Sequence, residues 1–346
     1  MDVTDRLSRL IAATGPISVA HYMAEANAHY YATRDPLGTA GDFTTAPEIS
    51  QMFGELVGLW LADLWSRAGA PADAAYLELG PGRGTLAVDA LRAMRSAGLR
   101  PSVRFVETSP VLRAAQAERV PDACWHDDLG SVPEGFPVLG VANEFFDALP
   151  VRQLICTERG WIERRVGWDG SRFVPQPGPQ LGSAPIPAAL QAAPPGSVIE
   201  TSPACAAVAR ELAHRIAAEG GAALIVDYGH DRTSVGETLQ AVSGHAFADP
   251  WVQPGERDLT AHVDFEALGR AARAEGVRVH GPVGQGEWLR ALGIEQRAAA
   301  LTQAAPGRTE EIEAARHRLT APDGMGMLFR VLALVAPGWP VPAGFA

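Results

Sequence analysis

The fold is decided by the stretch Ala74-Ala75-Tyr76-Leu77-Glu78-Leu79-Gly80-Pro81-Gly82-Arg83-Gly84-Thr85. An apolar segment runs here directly into a glycine-rich turn, and a segment with helical periodicity follows. This order predicts a strand, a turn and a helix, with the turn at the carboxyl end of the strand, where open α/β sheets bind ligands. Gly80, Gly82 and Gly84 carry no Cβ atom that would block a ligand, and they allow positive φ. The stretch therefore predicts a ligand-binding turn in an α/β fold.

The spacing of these glycines favours one ligand class. A dinucleotide fingerprint reads Gly-x-Gly-x-x-Gly with an acidic residue about 20 positions later, whereas here the glycines alternate and an acid precedes them. The acid-x-Gly-x-Gly-x-Gly pattern resembles the S-adenosylmethionine loop of class I methyltransferases. The resemblance implies that Glu78, Gly80, Pro81, Gly82 and Gly84 bind that cofactor. An ordinary Gly-Pro turn is the alternative, and the glycine spacing disfavours a nicotinamide-dependent dehydrogenase.

Composition excludes several function classes. The chain has 346 residues, enough for one large domain with insertions or for two domains. It carries 40 acidic and 29 basic residues, a net charge of -11, and no dense Lys/Arg block, so nucleic-acid binding is not expected. Cys124, Cys156 and Cys205 are dispersed. They predict neither a disulfide framework nor a metal site, and they favour a reducing compartment.

The amino-terminal residues and the hydropathy pattern bear on localisation. Residues 1–7 lack a charged-then-apolar signal pattern and include acidic residues, which transit peptides avoid. No apolar run approaches the roughly 18 residues that a spanning helix needs. The sequence therefore predicts no membrane insertion.

Periodicity along the chain predicts the fold class. Apolar residues at three- and four-residue spacing from Ile49 to Trp65 indicate a long helix. From residue 74 onward, apolar strands alternate with helices, as in a parallel sheet built from crossovers. We expect a Rossmann-like class I methyltransferase sheet of about seven strands with the last strand antiparallel. The expected strands are 74–79, 103–107, 123–125, 137–142, 222–227, 277–283 and 328–335.

The same pattern predicts the domain organisation. Residues 1–70 are expected to form an N-terminal helical lid region, and residues 71–346 a methyltransferase domain with insertions. One insertion, at about 151–200, begins as a hairpin and continues through a Pro/Gly-rich segment, 175–196, that is expected to be irregular. A second is expected at about 230–262, and a helical insertion at about 286–320.

Polar side chains stand at the ends of successive predicted strands, and these ends converge at one edge of a doubly wound sheet. Glu107 is placed to accept hydrogen bonds from both ribose hydroxyls of the cofactor. Asp127 or Asp128 is placed to accept from the adenine amino group, with the other acting as a capping or solvated residue. Asn143 and Glu144 end the next strand. These residues extend the predicted cofactor site.

The segment Asn143-Glu144-Phe145-Phe146-Asp147-Ala148-Leu149-Pro150 is the predicted catalytic loop. Methyl transfer is an in-line displacement to which a protein contributes mainly alignment and a local field. Carboxylates that bind a guanidinium acceptor bidentately can orient it. We expect Glu144 to take this role with Asn143 beside it, and Asp147 as a second choice, although Asp147 could instead cap a helix. The two phenylalanines are core or substrate contacts.

Three further residues are predicted at the substrate side. Asp42 and Phe43, in a polar, aromatic loop, are expected to form part of a lid over the methyl group. His262 precedes a predicted helix and is either a substrate contact or a hydrogen-bonded structural residue. The sequence contains no H-E-x-x-H motif, nucleophile elbow or Walker loop.

Six stretches together resemble the MidA-type family, the family of mitochondrial complex I assembly factor seven and its bacterial relatives. The resemblance implies a class I S-adenosylmethionine-dependent methyltransferase that releases S-adenosylhomocysteine and needs no metal. For the mitochondrial branch it implies methylation of an arginine on a complex I subunit. Because residues 1–7 lack a transit pattern, this chain resembles the bacterial, cytoplasmic members of the family. We therefore predict a protein arginine N-methyltransferase acting on such a subunit or a similar protein. A small-molecule methyltransferase and a non-catalytic assembly factor with a retained cofactor site remain alternatives. The stretches are 41–55, 78–85, 107–110, 143–150, 200–203 and 258–265.

Overall fold

A computed structural model describes residues 2–33, 44–182, 186–243 and 246–345. The helices are α1 (Val3–Thr14), α2 (Val19–Thr33), α3 (Ala46–Ile49), α4 (Gln51–Arg67), α5 (Thr85–Ser96), α6 (Pro110–Arg119), α7 (Pro203–Glu219), α8 (Phe265–Arg273), α9 (Gln285–Ala291), α10 (Ile294–Ala304), α11 (Thr309–Thr320) and α12 (Met325–Leu328). The strands are β1 (Ile17–Ser18), β2 (Ala75–Leu79), β3 (Ser102–Val106), β4 (Cys124–His126), β5 (Val138–Asn143), β6 (Arg152–Thr157), β7 (Gly160–Trp168), β8 (Phe173–Gln180), β9 (Val198–Thr201), β10 (Gly221–His230), β11 (Gln240–Ser243), β12 (Ala246–Ala248), β13 (Asp258–Thr260), β14 (Val263–Asp264), β15 (Arg278–Gly284) and β16 (Phe329–Val335).

The central sheet has the strand order β15-β16-β10-β5-β2-β3-β4, and β14 pairs with the end of β10. The pairs from β10 to β4 are parallel. The last strand, β16, runs antiparallel to both of its neighbours. This confirms the predicted sheet of about seven strands with an antiparallel last strand.

Helices cover both faces of the central sheet, which explains its apolar strands. On one face, Tyr76 and Leu224 join a core with α4 and α5. On the other face, Leu77 and Ile225 join a core with α7 and α8. Adjacent residues of a strand point to opposite faces, so a parallel sheet covered on both sides needs uninterrupted apolar runs. The carboxyl ends of the strands remain at one edge, where the predicted site residues lie.

Helix α4 packs closely against α5. A Cβ atom at Gly58 would lie 2.3 Å from the backbone oxygen of Ala90, so the residue at this crossing must be a glycine. The carboxylate of Glu55 accepts hydrogen bonds from Arg92 at 3.0 Å and from Arg297 at 2.7 Å, which ties α4 to α5 and α10. The second half of the predicted N-terminal region therefore belongs to the core of the central sheet.

A second sheet, of order β1-β7-β6-β9 with β8 on β7, is built from the first predicted insertion and from β1 near the amino terminus. Helices α1 and α2 pack on it. Residues 175–180 are strand within β8, where the sequence predicts an irregular segment. That prediction was wrong there because β8 lies at the sheet edge, where proline costs no ladder hydrogen bond. Strand β9 was not predicted either.

A third sheet, of order β12-β11-β13, lies beside α2. The side chain of Asn27 on α2 joins these parts, since its Nδ2 donates to the backbone oxygens of Leu259 at 2.7 Å and Ala148 at 2.9 Å. Its Oδ1 accepts from the Leu259 N–H at 3.1 Å. The N-terminal helices are thereby fixed beside the loop that follows β5.

Among the residues that the structure describes, no helix has the length and apolar character that crossing a membrane requires.

Candidate active site

A cavity of about 520 Å³ lies at the carboxyl edge of the central sheet. Its base is formed by the ends of β2, β3 and β5, and its opposite wall by residues of α2 and the segment that leads into α3. The structure brings nine of the predicted residues to this one cavity. They are Glu78, Gly80, Pro81, Gly82, Glu107, Asp127, Asp128, Asn143 and Glu144.

The glycine turn has the backbone that its sequence predicts. Gly80, Gly82 and Gly84 have φ values of 61°, 55° and 77°, in the region that side chains disfavour. A Cβ atom at Gly80 would lie 2.9 Å from Cδ2 of Phe145, so the turn and the β5 loop touch. Gly84 does not line the cavity; it is the N-cap of α5. The turn exposes bare backbone to a ligand at Gly80 and Gly82.

Glu78 lies at the cavity base near the end of β2. The carboxylate accepts a hydrogen bond of 2.7 Å from the Tyr76 hydroxyl. Burial raises the pKa of Glu78 to about 7, and the bond from Tyr76 only partly opposes the effect. Hydrogen bonds from a polar ligand would offset the cost of burying this carboxyl.

Glu107 follows β3 and is held rigidly. Its Oε1 accepts from the Ser109 N–H at 2.8 Å, and its Oε2 accepts from Gln116 Nε2 at 3.2 Å. The same Gln116 nitrogen donates to the Gly82 oxygen at 2.7 Å, which couples Glu107 to the glycine turn. Burial raises the pKa of Glu107, and these hydrogen bonds oppose the rise. The carboxylate is oriented, with lone pairs left for a diol.

Asp127 and Asp128 follow β4 at the outer end of the cavity. Asp127 is exposed and forms an ion pair of 2.7 Å with Arg113. Asp128 accepts from the Ser131 N–H at 2.8 Å and so closes its own turn. Both remain beside the cavity, and both keep lone pairs that an amino group could use.

Glu144 is the most strained of the lining residues. Its φ is 50°, which is unusual outside glycine and frequent at functional sites. Its Oε1 accepts from the Ala46 N–H at 3.2 Å and from Asn143 Nδ2 at 3.3 Å. Burial, followed by the nearby Asp147, raises the pKa of Glu144 to about 8. Within the described residues, both hydrogen bonds of the carboxyl are made through Oε1.

Asp147 does not line the cavity. The carboxylate of Asp227 accepts the Phe146 and Asp147 N–H groups at 3.0 and 3.2 Å, which turns the loop away after Glu144. Asp147 Oδ2 accepts from the Tyr228 hydroxyl at 2.5 Å. Burial raises the pKa of Asp147 to about 6. The structure therefore places Asp147, the second choice for orienting the acceptor, away from the cavity that Glu144 lines.

His262 does not reach the main cavity either. Its backbone N–H donates to the Thr238 hydroxyl at 2.9 Å. The residue lines a second cavity, of about 140 Å³. Pairing of β14 with β10 at Val263 and Gly229 carries the segment past Tyr228. Asp42 and Phe43, the predicted lid residues, lie outside the described residues.

The sequence did not predict which residues form the wall opposite the glycine turn. It includes Asn27, Tyr31 and Thr45, together with Glu48, whose Oε1 accepts from the Thr85 hydroxyl at 2.5 Å. Tyr31 donates to Asp258 at 2.8 Å. These contacts join residues that are far apart in the chain, so the spacing of residues along the sequence does not predict them.

The arrangement fits S-adenosylmethionine. The bare turn suits close approach of the amino acid portion, and the two Glu107 oxygens suit the ribose hydroxyls. Oδ1 of Asn143 is buried with no hydrogen-bond partner among the described residues, so it can accept from a bound ligand. Within the same residues, no group of three His, Cys, Asp or Glu side chains is placed to hold a metal ion.

Comparison with known proteins gives the same cofactor. Residues 56–283 match the model of a family described as "Putative S-adenosyl-L-methionine-dependent methyltransferase". The chain is 39% identical to mouse and 37% identical to human "Protein arginine methyltransferase NDUFAF7, mitochondrial", over 94% of this chain. The alignments cover 82% and 81% of those proteins. The Drosophila melanogaster homologue is 39% identical over 95% of this chain and 84% of its own length.

Solved structures agree in fold. A Burkholderia thailandensis protein bound to S-adenosylhomocysteine superposes with a TM-score of 0.86 at 28% identity, covering 99% of this chain and 93% of that one. A second structure from the same organism gives a TM-score of 0.81 at 29% identity, with the same coverage. The agreement extends over the central sheet and the added sheets alike.

Proposed function

The chain belongs to the family of S-adenosylmethionine-dependent methyltransferases, and from this premise we propose that its methyl acceptor is the guanidinium of an arginine in a protein. The enzyme uses S-adenosylmethionine and releases S-adenosylhomocysteine. The relatives named above are protein arginine methyltransferases at 37–39% identity. The activity for which these relatives are named supports the acceptor proposed here.

The observation that carries the proposal is the Glu144 carboxyl in the cavity. It stands at the end of β5, beside the glycine turn across the β2–β5 pairing. Ala46 and Asn143 hold Oε1, so Oε2 can accept from a guanidinium N–H and fix the plane of that group. A planar cationic acceptor suits one anchored carboxylate better than a neutral hydroxyl acceptor does.

The proposed chemistry divides the work between cofactor and protein. When bound, S-adenosylmethionine supplies an electrophilic methyl group on a sulfonium. A C–N bond to the acceptor forms as the C–S bond breaks, and the acceptor nitrogen then loses a proton. Glu144 orients the nitrogen, and with a pKa of about 8 it can also take up that proton. Glu78, Glu107 and Asn143 hold the cofactor, and the glycine turn gives it room.

The proposal also covers the cellular location of the enzyme and its protein substrate. We place the enzyme in a bacterial cytoplasm, acting on a respiratory complex I subunit or a similar protein. Proteins similar to 99% of this chain occur in a bacterium, Burkholderia thailandensis, which is compatible with this setting. Free Cys124, Cys156 and Cys205 are compatible with a reducing compartment.

The test is methyl transfer to proteins from cells that lack this enzyme. Lysate from such a strain is incubated with the purified protein and S-adenosylmethionine labelled in the methyl group, and the labelled band is hydrolysed and analysed for methylated amino acids. Labelled methylarginine is the expected result. Label confined to small molecules would favour a small-molecule methyltransferase. Cofactor binding with no transfer would favour an assembly factor that retains its cofactor site, and either result would overturn the proposal.

A further inference from the structure

The carboxylate of Asp227 is buried beside the loop that carries Glu144. Asp227 lies in β10, one residue beyond Val226, which is the last residue of that strand to pair with β5. The residue is fully buried, and it does not line the main cavity. Arg330, opposite it on β16, pairs with Asp231 instead. Burying a carboxylate is costly, so the hydrogen bonds that Asp227 accepts have to offset that cost.

Both oxygens of Asp227 accept backbone N–H groups. Oδ2 accepts from Phe146 at 3.0 Å and from Asp147 at 3.2 Å. Oδ1 accepts from the N–H of the next residue, Tyr228, at 2.9 Å. Two of these three donors belong to the loop that follows Glu144, so one carboxylate holds two successive peptide groups of that loop.

The carbonyl oxygens of the same two residues are held from other elements. The Phe146 oxygen accepts from Cys205 Sγ on α7 at 3.3 Å. The Asp147 oxygen accepts from the Ala261 N–H at 3.0 Å. Residues 146–147 are therefore fixed through their carbonyl groups by two other segments and through their N–H groups by Asp227.

Glu144 needs this anchor because its backbone conformation is strained. Its φ is 50°, and such a residue keeps this conformation only where its surroundings hold it. Its own N–H donates to the Val226 oxygen at 2.9 Å. A relaxed, negative φ at Glu144 would rotate the peptide groups that follow, and the Phe146 and Asp147 N–H groups would leave Asp227. The two hydrogen bonds thus stabilise the conformation in which Glu144 lines the cavity.

We propose that Asp227 is a positioning residue for methyl transfer, because it holds Glu144 in the left-handed conformation that directs its carboxyl at the methyl acceptor. Asp227 contacts neither the cofactor nor the acceptor and acts only through Glu144. The inference rests on the proposed function, in which Glu144 orients the acceptor. Methyl transfer depends on alignment, so a small change in the direction of this carboxyl lowers the rate.

A double-mutant cycle tests whether Asp227 acts through Glu144. Asp227→Asn keeps the size of the side chain, but an amide accepts through one end only, so either the two loop N–H groups or the Tyr228 N–H lose their acceptor. We expect this variant to lower kcat about tenfold and to keep S-adenosylhomocysteine affinity within about twofold. Combined with Glu144→Gln, the same substitution should change kcat by less than about twofold, because the carboxylate that it positions is already absent.

Asp264→Ala is the control for a loss of stability, since it removes the N-cap of α8 outside the loop. It should lower the melting temperature and leave kcat unchanged. Asp227→Ser, which has a shorter acceptor, replaces the asparagine variant if that variant does not fold.

Two results would overturn the inference alone. An equal loss of kcat with and without Glu144→Gln would give Asp227 a purely structural role, and an unchanged kcat in Asp227→Asn would give it none. Near-normal turnover of Glu144→Gln by itself would overturn the proposed role of Glu144, and this inference with it. The single and double variants therefore distinguish the two failures.

Discussion

The base and the opposite wall of the main cavity are built in different ways. The base consists of strand ends, and its functional residues lie in the last two positions of a strand or directly after it: Glu78 with the glycine turn, Glu107, and Asn143 with Glu144. The wall consists of residues from α2 and α3, such as Asn27 and Glu48, that reach the site through long-range contacts. The base binds the cofactor in our account, and the wall positions the acceptor side. Variants of the two regions should therefore fail in different ways.

The largest expected effect is on the base. Gly82→Val puts a branched side chain at φ 55° in the bare turn, which strains the backbone and fills space that the cofactor needs. Together these should cost roughly 2–4 kcal/mol of S-adenosylhomocysteine binding. Calorimetry measures the loss. Gly307→Val is the control, because a Cβ atom there meets nothing within 4 Å. Equal affinity in both variants would remove the glycine turn from the site.

The second largest effect, on turnover, distinguishes Glu144 from Asp147, the two carboxylates of one loop. Glu144→Gln should keep folding and cofactor affinity but lose turnover by at least about 10²-fold, because it removes the anion that orients the acceptor. Asp147→Asn should lose less than about tenfold, since Asp147 faces Tyr228 and not the cavity. Measured kcat values for both variants check this. A Glu144→Gln enzyme with near-normal turnover would contradict the assigned role, and joint loss of binding and turnover would move Glu144 to the cofactor side.

Glu107→Ala should weaken cofactor binding by roughly 1–3 kcal/mol, the range for loss of a charged hydrogen-bond partner. The removed carboxylate also leaves the Ser109 N–H without its acceptor, whereas Gln116 Nε2 keeps its hydrogen bond to the Gly82 oxygen. Calorimetry against a methyl-donor analogue that lacks both ribose hydroxyls provides the control. If Glu107 binds the ribose, the variant and the wild type should bind that analogue about equally well.

The pH dependence of methyl transfer tests the role of Glu144, which belongs to the base and is hydrogen-bonded to Ala46 of the wall. The ionised form of Glu144 holds the cationic acceptor, and burial raises its pKa to about 8. At saturating cofactor, kcat/KM for the acceptor should therefore rise about tenfold per pH unit below pH 8 and level off above it. Saturation removes the contribution of Glu78, whose pKa is raised to about 7. A Glu144→Gln profile that keeps the same step would assign it to another group.

The smallest effect on cofactor binding is expected from the wall. Asn27→Ala removes the amide that joins α2 to Ala148 and Leu259, so the free energy of unfolding should fall by about 1–2 kcal/mol. S-adenosylhomocysteine affinity should stay within about twofold. Thermal melting and calorimetry on the same samples measure both. A large loss of affinity with unchanged stability would show that the wall, too, binds the cofactor.

The positions of the base residues could be predicted from the sequence because each of them lies at the end of an apolar strand or in the turn directly after it. Gly80, Gly82, Glu107 and Glu144 could be placed on one edge by strand topology alone. Pairing of distant segments could not be predicted. The contact of Ala46 with Glu144 joins residues 98 positions apart, and no local pattern encodes it.

The same reasoning explains the misplaced residues. Asp147 is close to Glu144 in sequence, yet the buried carboxylate of Asp227 turns the loop between them. His262 lies in the segment 258–265, which contacts the predicted catalytic loop. Pairing of β14 with β10 places His262 at the second cavity and not at the main one. Proximity in sequence predicts which part of the fold a residue lies in. The direction of its side chain depends on tertiary hydrogen bonds.

The most direct test of the account is a crystal structure of this protein with S-adenosylhomocysteine. We expect the ribose hydroxyls on Glu107, the amino acid portion over Gly80 and Gly82, and the sulfur turned toward Glu144. That result would place the methyl group, in the active cofactor, beside the residue assigned to the acceptor. A sulfur turned away from Glu144, or a cofactor bound outside the cavity at the glycine turn, would contradict the account.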